Sequence, residues 1–369
     1  MTNCHIDLTE RPTSAVFLNG PGELVSAVPY LLGFTPTNCI VAAFLSGTDG
    51  ELILTARVDH PHPGQHESFV AAWQQACEGI VNSNDVDRLV LVDFCTQSTF
   101  GECVLDADVA TSSGESAADF DGVRNITNAM AAAAASLGLY TCDEVMVIAH
   151  CWRSVLCRDE RCCPTQGQPI DPERGARVAA PFVAEGVAPL ASRESIGQRI
   201  TPVSSEDPRG REFQSAVTQS AAHFGECADI PSRRALVMDS VAALTTGATE
   251  GTPLAVACIQ DLRRRDALLR ILIQDVADEP RRIAEDALVS ALTLCAHSHR
   301  AAVATVVAGL AWQRGDGALA QECLDLALAS DESYSLARLL TRAIRHAVPP
   351  TVWVDAVAAT TVESCLIGS

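Results

Sequence analysis

The apolar positions change period about halfway along the chain. Up to about residue 200, short apolar runs alternate with segments of helical periodicity. "PGELVSAVPYLLG" predicts a helix over 21–32. Pro21 suits the first turn, Gly33 suits the left-handed position just past the end, and Pro36 blocks continuation. Pro29 is expected to weaken its last turns. "CIVAAFL" (39–45) is apolar throughout and "ELILTARVD" (51–59) alternates, with the turn "GTDG" between them, so the two read as a hairpin. An amphipathic helix follows over 66–80, then the fully apolar strand "RLVLVDF" (88–94) and a polar loop over 96–115. Residues 116–138 read as an alanine-rich helix, and 144–150 and 152–157 as two strands joined by a tight turn at Ala149-His150. Further helices are expected near 173–185 and after Ser192, whose hydroxyl is a natural cap. This succession predicts an α/β domain over 1–200 with a mixed, about five-stranded sheet.

Beyond "TPVSSEDPRG" (201–210), read as a linker, the strand signal disappears. Helical periodicity runs over 211–369, broken at Pro231, 247–253, Pro280, 315–317 and 349–350, which predicts an all-helical domain of seven or eight helices. Residues 301–334 resemble a single tetratricopeptide repeat. Gly315-Asp316 falls between two helices, and Ala320 and Ala327 provide small contact positions. The signature Trp and Tyr positions of that repeat are missing and no second copy precedes it, so a helical hairpin in a bundle is expected instead of a peptide-binding superhelix.

Composition narrows the function classes. The chain has 369 residues, 48% of them hydrophobic, which is a folded and not a disordered composition. Its net charge of −20 disfavours nucleic acid and anionic membranes as partners. All 26 basic residues are arginine, which excludes a Walker-A phosphate loop and Schiff-base chemistry. The first residues lack the pattern of a signal peptide and no run has the length and apolarity of a membrane span, so a cytoplasmic protein with reduced thiols is expected. Most of the 15 cysteines, such as Cys258, Cys295 and Cys323, lie in apolar helical stretches and read as small packing residues.

The exception is "CRDERCCPTQGQPI" (157–170), with three thiols in seven residues. Zinc takes four N or S ligands in a tetrahedron. Cys151 lies at the far end of the predicted strand, roughly 20 Å from Cys157 at ~3.3 Å per residue. Cys142 is the better fourth ligand. A two-residue turn at Ala149-His150 pairs Ile148 with Cys151, and counting outward pairs Cys142 with Cys157. A one-residue slip would put the two on opposite faces. Three readings stay open, the first favoured: a packed cysteine-rich turn, a structural zinc on Cys142, Cys157, Cys162 and Cys163, or a disulfide.

Other candidates are weaker. "DHPHPGQH" gathers Asp59, His60, His62 and His66 past a strand end, and Asp93 ends the buried strand; both are places where α/β proteins bind ligands. Against this, Asp93 reads equally as a strand-ending residue and the His-Pro stretch as an exposed loop. Arg263, Arg264, Arg265 and Arg270 read as internal ion-pair partners ahead of an anion site. No G-x-S-x-G elbow and no H-E-x-x-H occurs.

"AVPYLLGFTPTNCIVA" (27–42), "RVD" (57–59), "CRDERCCPTQGQPID" (157–171), "LASRES" (190–195) and "GDGALAQECLDLALASDESYSLARLL" (315–340) together resemble, in this order, the actinobacterial domain of unknown function 4192 family. The resemblance spans about 20 to 353 and implies no activity. Departures from its pattern are Cys39, Ala149-His150 and the histidines at 60, 62 and 66. The expected function is a non-catalytic interaction or regulatory module whose helical domain contacts a protein partner. The alternatives are a ligand-binding protein or enzyme using Asp59 and Asp93, and a metal-stabilised component of a larger assembly.

Overall fold

The computed structural model describes residues 7–10, 18–47, 50–62, 64–95, 116–164, 167–226, 229–247 and 249–367. The expected loop at 96–115 lies outside the described residues. The chain forms two compact units, one of residues 1–193 with 345–348, the other of 194–344 with 349–369.

The first unit is built on a mixed sheet. Its strands are β1 (Asp7–Glu10), β2 (Cys39–Ser46), β3 (Glu51–Asp59), β4 (Arg88–Cys95), β5 (Tyr140–Ile148), β6 (Cys151–Ser154) and β7 (Gln168–Pro169), in the order β1-β3-β2-β4-β5-β6-β7. The five expected strands form its middle. The two extra ones are short edge strands, and neither four polar-flanked residues nor a Gln-Pro pair carries a legible period. Among the described strands, β4 and β5 are the one parallel pair. The helices are α1 (Pro21–Leu32), α2 (His66–Ser83), α3 (Ser116–Ala135) and α4 (Pro172–Ala184). Gly33 adopts the left-handed conformation expected of it, with φ 78°.

Register decides which side chains share a face. Ile40 pairs with Val58 on one side and Asp93 on the other. Ile40, Ala42, Phe44, Ala56, Leu89 and Leu91 form a core with Phe69, Trp73, Cys77 and Ile80 of α2 and Met130 and Ala134 of α3. The inward positions of α2 recur at three and four residues, as an amphipathic helix requires. Residues 346 and 347 close this core: Ala347 is buried in it and its carbonyl accepts from Asn84 Nδ2 at 3.2 Å. On the opposite face α1 packs on α4, with Tyr30 stacked on Phe182 at 5.3 Å. Gly22 of α1 comes so close to Trp152 that a Cβ there would lie 2.8 Å from the indole nitrogen.

The second unit contains α5 (Glu194–Ile200), α6 (Pro208–Glu226), α7 (Ile230–Thr245), α8 (Thr252–Ile259), α9 (Leu262–Gln274), α10 (Asp278–Leu294), α11 (His297–Gln313), α12 (Gly317–Ser330), α13 (Ser335–Arg345), α14 (Pro350–Ala358) and α15 (Val362–Ile367). Ten described helices therefore lie beyond residue 207, against the seven or eight expected. The extra divisions fall where no Pro-Gly punctuation marks them. Asp261, for example, starts α9 by accepting the Arg264 N–H at 3.1 Å. Conversely Pro231 and Pro280 sit inside first turns, where proline does no damage. The stretch read as a linker is tied into this unit, since the Val203 N–H donates to the Thr293 carbonyl at 2.8 Å. Residues 301–334 contain a helical hairpin, α11 and α12, with the Asp316 carboxylate capping α12 through the Leu319 N–H at 3.0 Å. Residues 301–312 of α11 are buried on every face, which makes it the central helix of the unit.

No helix among the described residues is long and apolar enough to cross a membrane.

Candidate metal centre

The thiol-rich stretch follows the β5–β6 hairpin. Its register is the expected one, with Ile148 opposite Cys151 across a turn in which Ala149 has φ 52°. The ladder ends sooner than the apolar pattern indicates. β6 stops at Ser154, one more bond follows from the Val155 N–H to the Glu144 carbonyl at 2.7 Å, and the chain then turns away. Ser154 makes that turn: its hydroxyl donates to Asp143 Oδ1 at 2.5 Å and accepts the Cys157 N–H at 3.1 Å. The Asp143 carboxyl is pushed above its ordinary range by burial, against the lowering effect of the Ser154 bond.

Past the turn, backbone bonds fold the loop over itself. The Asp159 carbonyl accepts from both the Cys162 and Cys163 N–H groups, at 3.0 and 2.7 Å, and Gln168 Nε2 donates to the Cys162 carbonyl. Gly167 returns the chain to β6 with φ 79°. A Cβ there would stand 3.2 Å from the Trp152 carbonyl oxygen, so this position needs glycine. Asp171 then caps α4 through the Glu173 and Arg174 N–H groups.

The result is a cluster of three sulfurs, from Cys157, Cys162 and Cys163, all within 4.8 Å of one another. The Cys162 and Cys163 sulfurs are 3.9 Å apart. Two thiolates on a tetrahedral zinc at Zn–S ~2.3 Å stand about 3.8 Å apart, so this spacing suits one shared ion. Burial pushes the Cys163 thiol up to about 11, and the neighbouring thiols add to the shift. A bound cation would reverse this by stabilising the thiolates.

Cys142 does not join them. Between β4 and β5 the pairing jumps from Leu89–Thr141 to Val90–Asp143, so Cys142 is the extra residue of a β-bulge and is exposed. The bulge and the early end of β6 both break the outward count that would pair Cys142 with Cys157. Cys151 is also outside the cluster.

Asp59 and Asp93 end up on opposite faces of the sheet. Asp59 pairs with Cys39, one position out of phase with the Ile40–Asp93 pair, and is held by Arg57, which also lies over the Phe34 ring. The buried Cys39 thiol beside them is raised to about 11, by burial first and against the lowering effect of Arg57. Asp93 is almost fully buried. His60 Nε2 donates to its Oδ1 at 2.8 Å, Cys95 Sγ lies 3.2 Å from the same oxygen, and Oδ2 has no partner. The other ring nitrogen of His60 faces Asn38 Oδ1 at 3.2 Å, and Asn38 has φ 50°. Of the histidine group, then, only His60 engages a predicted carboxylate. Asn38 and Cys95 were not singled out by sequence; an Asn preceding a strand is the one local signal for the first.

This arrangement carries a stability prediction. His60→Ala should lower stability by about 1–3 kcal/mol, because a buried carboxylate loses its strong donor. Adding Asp93→Asn should recover part of that loss by removing the buried charge. Urea denaturation of the single and double variants reads both effects, and additive losses would rule out the coupling.

Of the four arginines, Arg264, Arg265 and Arg270 are engaged within the helical unit, whereas Arg263 is exposed. Arg265 is buried between Asp266 at 2.7 Å and the Tyr334 hydroxyl at 2.6 Å, Arg264 lies over the Phe224 ring, and Arg270 pairs with Asp275 at 3.0 Å.

Fold and site thus define a two-unit protein, a mixed α/β sheet unit and a helical unit, with a thiol cluster spaced to hold a metal ion. The chain belongs to a family known as a domain of unknown function, DUF4192, whose model matches residues 21–351. No curated protein and no solved structure matches it.

Proposed function

We propose that the chain is a metal-stabilised protein in which Cys157, Cys162 and Cys163 hold one zinc ion. The observation that carries this reading is the convergence of three sulfurs on a loop whose backbone is bonded into place at both ends. Soft thiolate ligands favour zinc over the hard cations that carboxylates select. An ion there would tie the turn after β6 to the Asp159–Cys163 turn by joining Cys157 to Cys162 and Cys163. Three thiolates leave the fourth tetrahedral position to water or a further ligand.

Metal analysis of full-length protein purified without chelator tests the reading. About one zinc per chain is expected, and below about 0.1 per chain the proposal fails. Cys157→Ser and Cys163→Ser should lose the metal, whereas Cys142→Ser should keep it. A chelator should lower the melting temperature of the natural chain and leave Cys157→Ser unchanged.

The protein partner expected from the sequence has less in its favour. The helical unit exposes large side chains such as Leu339 and Val352, and globular surfaces ordinarily carry some of these.

A further inference from the structure

The same three thiols differ in ways that metal binding does not use. Cys162 is exposed, Cys157 is half-buried and Cys163 is buried. Reagents in solution therefore reach Cys162 first. Cys162 is also the sulfur around which geometry restricts the choice of disulfide. Its neighbour Cys163 is one residue away, and Cα atoms across a trans peptide lie ~3.8 Å apart. That is below the ~4.4–6.8 Å span that disulfides ordinarily bridge, so a Cys162–Cys163 bond would be strained. Cys157 is five residues away along a turn, with its sulfur already within 4.8 Å. The flanking Ser154, Asp159 and Gln168 bonds hold the backbone on both sides while the sulfurs close up.

We infer that Cys162 is an oxidation site for peroxides and that Cys157 is its resolving thiol, so that oxidation empties the metal centre. The inference rests on the three-thiol site proposed above. In the first step the Cys162 thiolate attacks a peroxide oxygen. The S–O bond forms, the O–O bond breaks, and hydroxide leaves and is protonated to water. Cys162 is then a sulfenic acid. In the second step the Cys157 thiolate attacks the Cys162 sulfur, the S–S bond forms, and the S–O bond breaks with loss of a second hydroxide, again protonated to water. Two thiols are oxidised by two electrons and one hydrogen peroxide is reduced to two waters. With two of its three sulfurs in a disulfide, the site keeps only the Cys163 thiolate, and the ion is released.

The sequence makes the readout direct. Arg158 and Arg161 lie between the two cysteines, so tryptic cleavage puts Cys157 and Cys162 on different peptides, and only a disulfide holds these together. Full-length protein is treated with hydrogen peroxide, then alkylated and mapped, with zinc release followed by a chromogenic chelator. The expected result is a crosslinked pair of these peptides, with backbone fragmentation between the adjacent Cys162 and Cys163 assigning the bond to Cys162, and zinc release in step with it. Cys157→Ser should instead accumulate a dimedone adduct on Cys162. Cys162→Ser should resist oxidation at this site, and circular dichroism of both variants confirms that they fold. First oxidation at Cys163, a disulfide that omits Cys162, or no more reaction at Cys162 than at buried Cys77 overturns the inference. Protein purified without zinc would defeat the metal proposal alone, because the crosslink map still decides which thiols react.

Discussion

Replacing Trp73 with alanine is expected to destabilise the first unit by about 3–5 kcal/mol, the range for deleting a fully buried aromatic side chain. Trp73 is completely buried at the centre of α2, with its ring 5.9 Å from that of Phe44 on the sheet. Its indole N–H donates to the Met130 carbonyl at 3.0 Å, which joins the two helices that cover this face. Truncation therefore leaves a cavity and removes the indole N–H from a buried helix carbonyl. Trp73→Phe separates the two effects. It refills most of the volume, loses the bond, and should cost about 1–3 kcal/mol. Urea denaturation followed by far-UV circular dichroism measures both. A loss under about 1 kcal/mol for Trp73→Ala would mean that the α2 face is not the core that its period implies.

The second large effect is expected at Arg314 in the helical unit. Glu285 of α10 is buried and its carboxylate accepts from Arg314 Nη2 at 2.7 Å, while the same guanidinium reaches Asp316 at 3.0 Å. Removing one partner of such a pair leaves a buried charge uncompensated, typically at a cost of about 3–5 kcal/mol. The Arg314 side chain is partly exposed, so Arg314→Ala should fall near the lower end of that range. The effect should depend on pH. Burial raises the Glu285 carboxyl above its ordinary value of 4.5, and Arg314 partly counters this. A carboxyl that titrates higher when folded binds its proton more tightly in the folded chain than in the unfolded one. Stability therefore falls as pH rises from the ordinary value through the raised one. Without Arg314 the raised value moves higher still, so the deficit of Arg314→Ala should grow from mildly acid pH to neutrality. Denaturation midpoints measured from pH 4.5 upward check this, and a deficit independent of pH would show that Glu285 is not the group left behind.

The two units differ in how much of them was readable in sequence. α1 was legible to the residue because Pro21 and Gly33 are both geometric requirements of helix ends. The β2–β3 hairpin was legible because one strand is apolar on both faces and the other alternates. The helical unit was legible as helical but not in its divisions, since a boundary made by an aspartate cap, as at Asp261, looks like ordinary surface. The Glu285–Arg314–Asp316 group was not legible at all. Its members are 29 and 2 residues apart, and only the packing of α10 against α11 brings them together.

The thiol site lay between these cases. Cys157, Cys162 and Cys163 converge because they share one short loop, and short loops keep neighbours together whatever the rest of the chain does. Cys142 failed to join them because its place depended on strand register carried over six residues. One bulged residue and one serine-capped turn were enough to undo that count. Asp59 and Asp93, the two ligand candidates at strand ends, lie on opposite faces because adjacent positions on a strand face opposite sides.

By itself the sequence determined the five central strands and the helical character of the second unit, the absence of lysine chemistry and the three-thiol loop, because periodicity, end signals and short spacing are local properties. Only the tertiary structure decided which distant side chains meet: His60 on Asp93, Arg314 on Glu285, and Cys142 apart from the other thiols. Those outcomes depend on register and helix packing. A shift of a single residue there reverses the answer while leaving every local pattern unchanged.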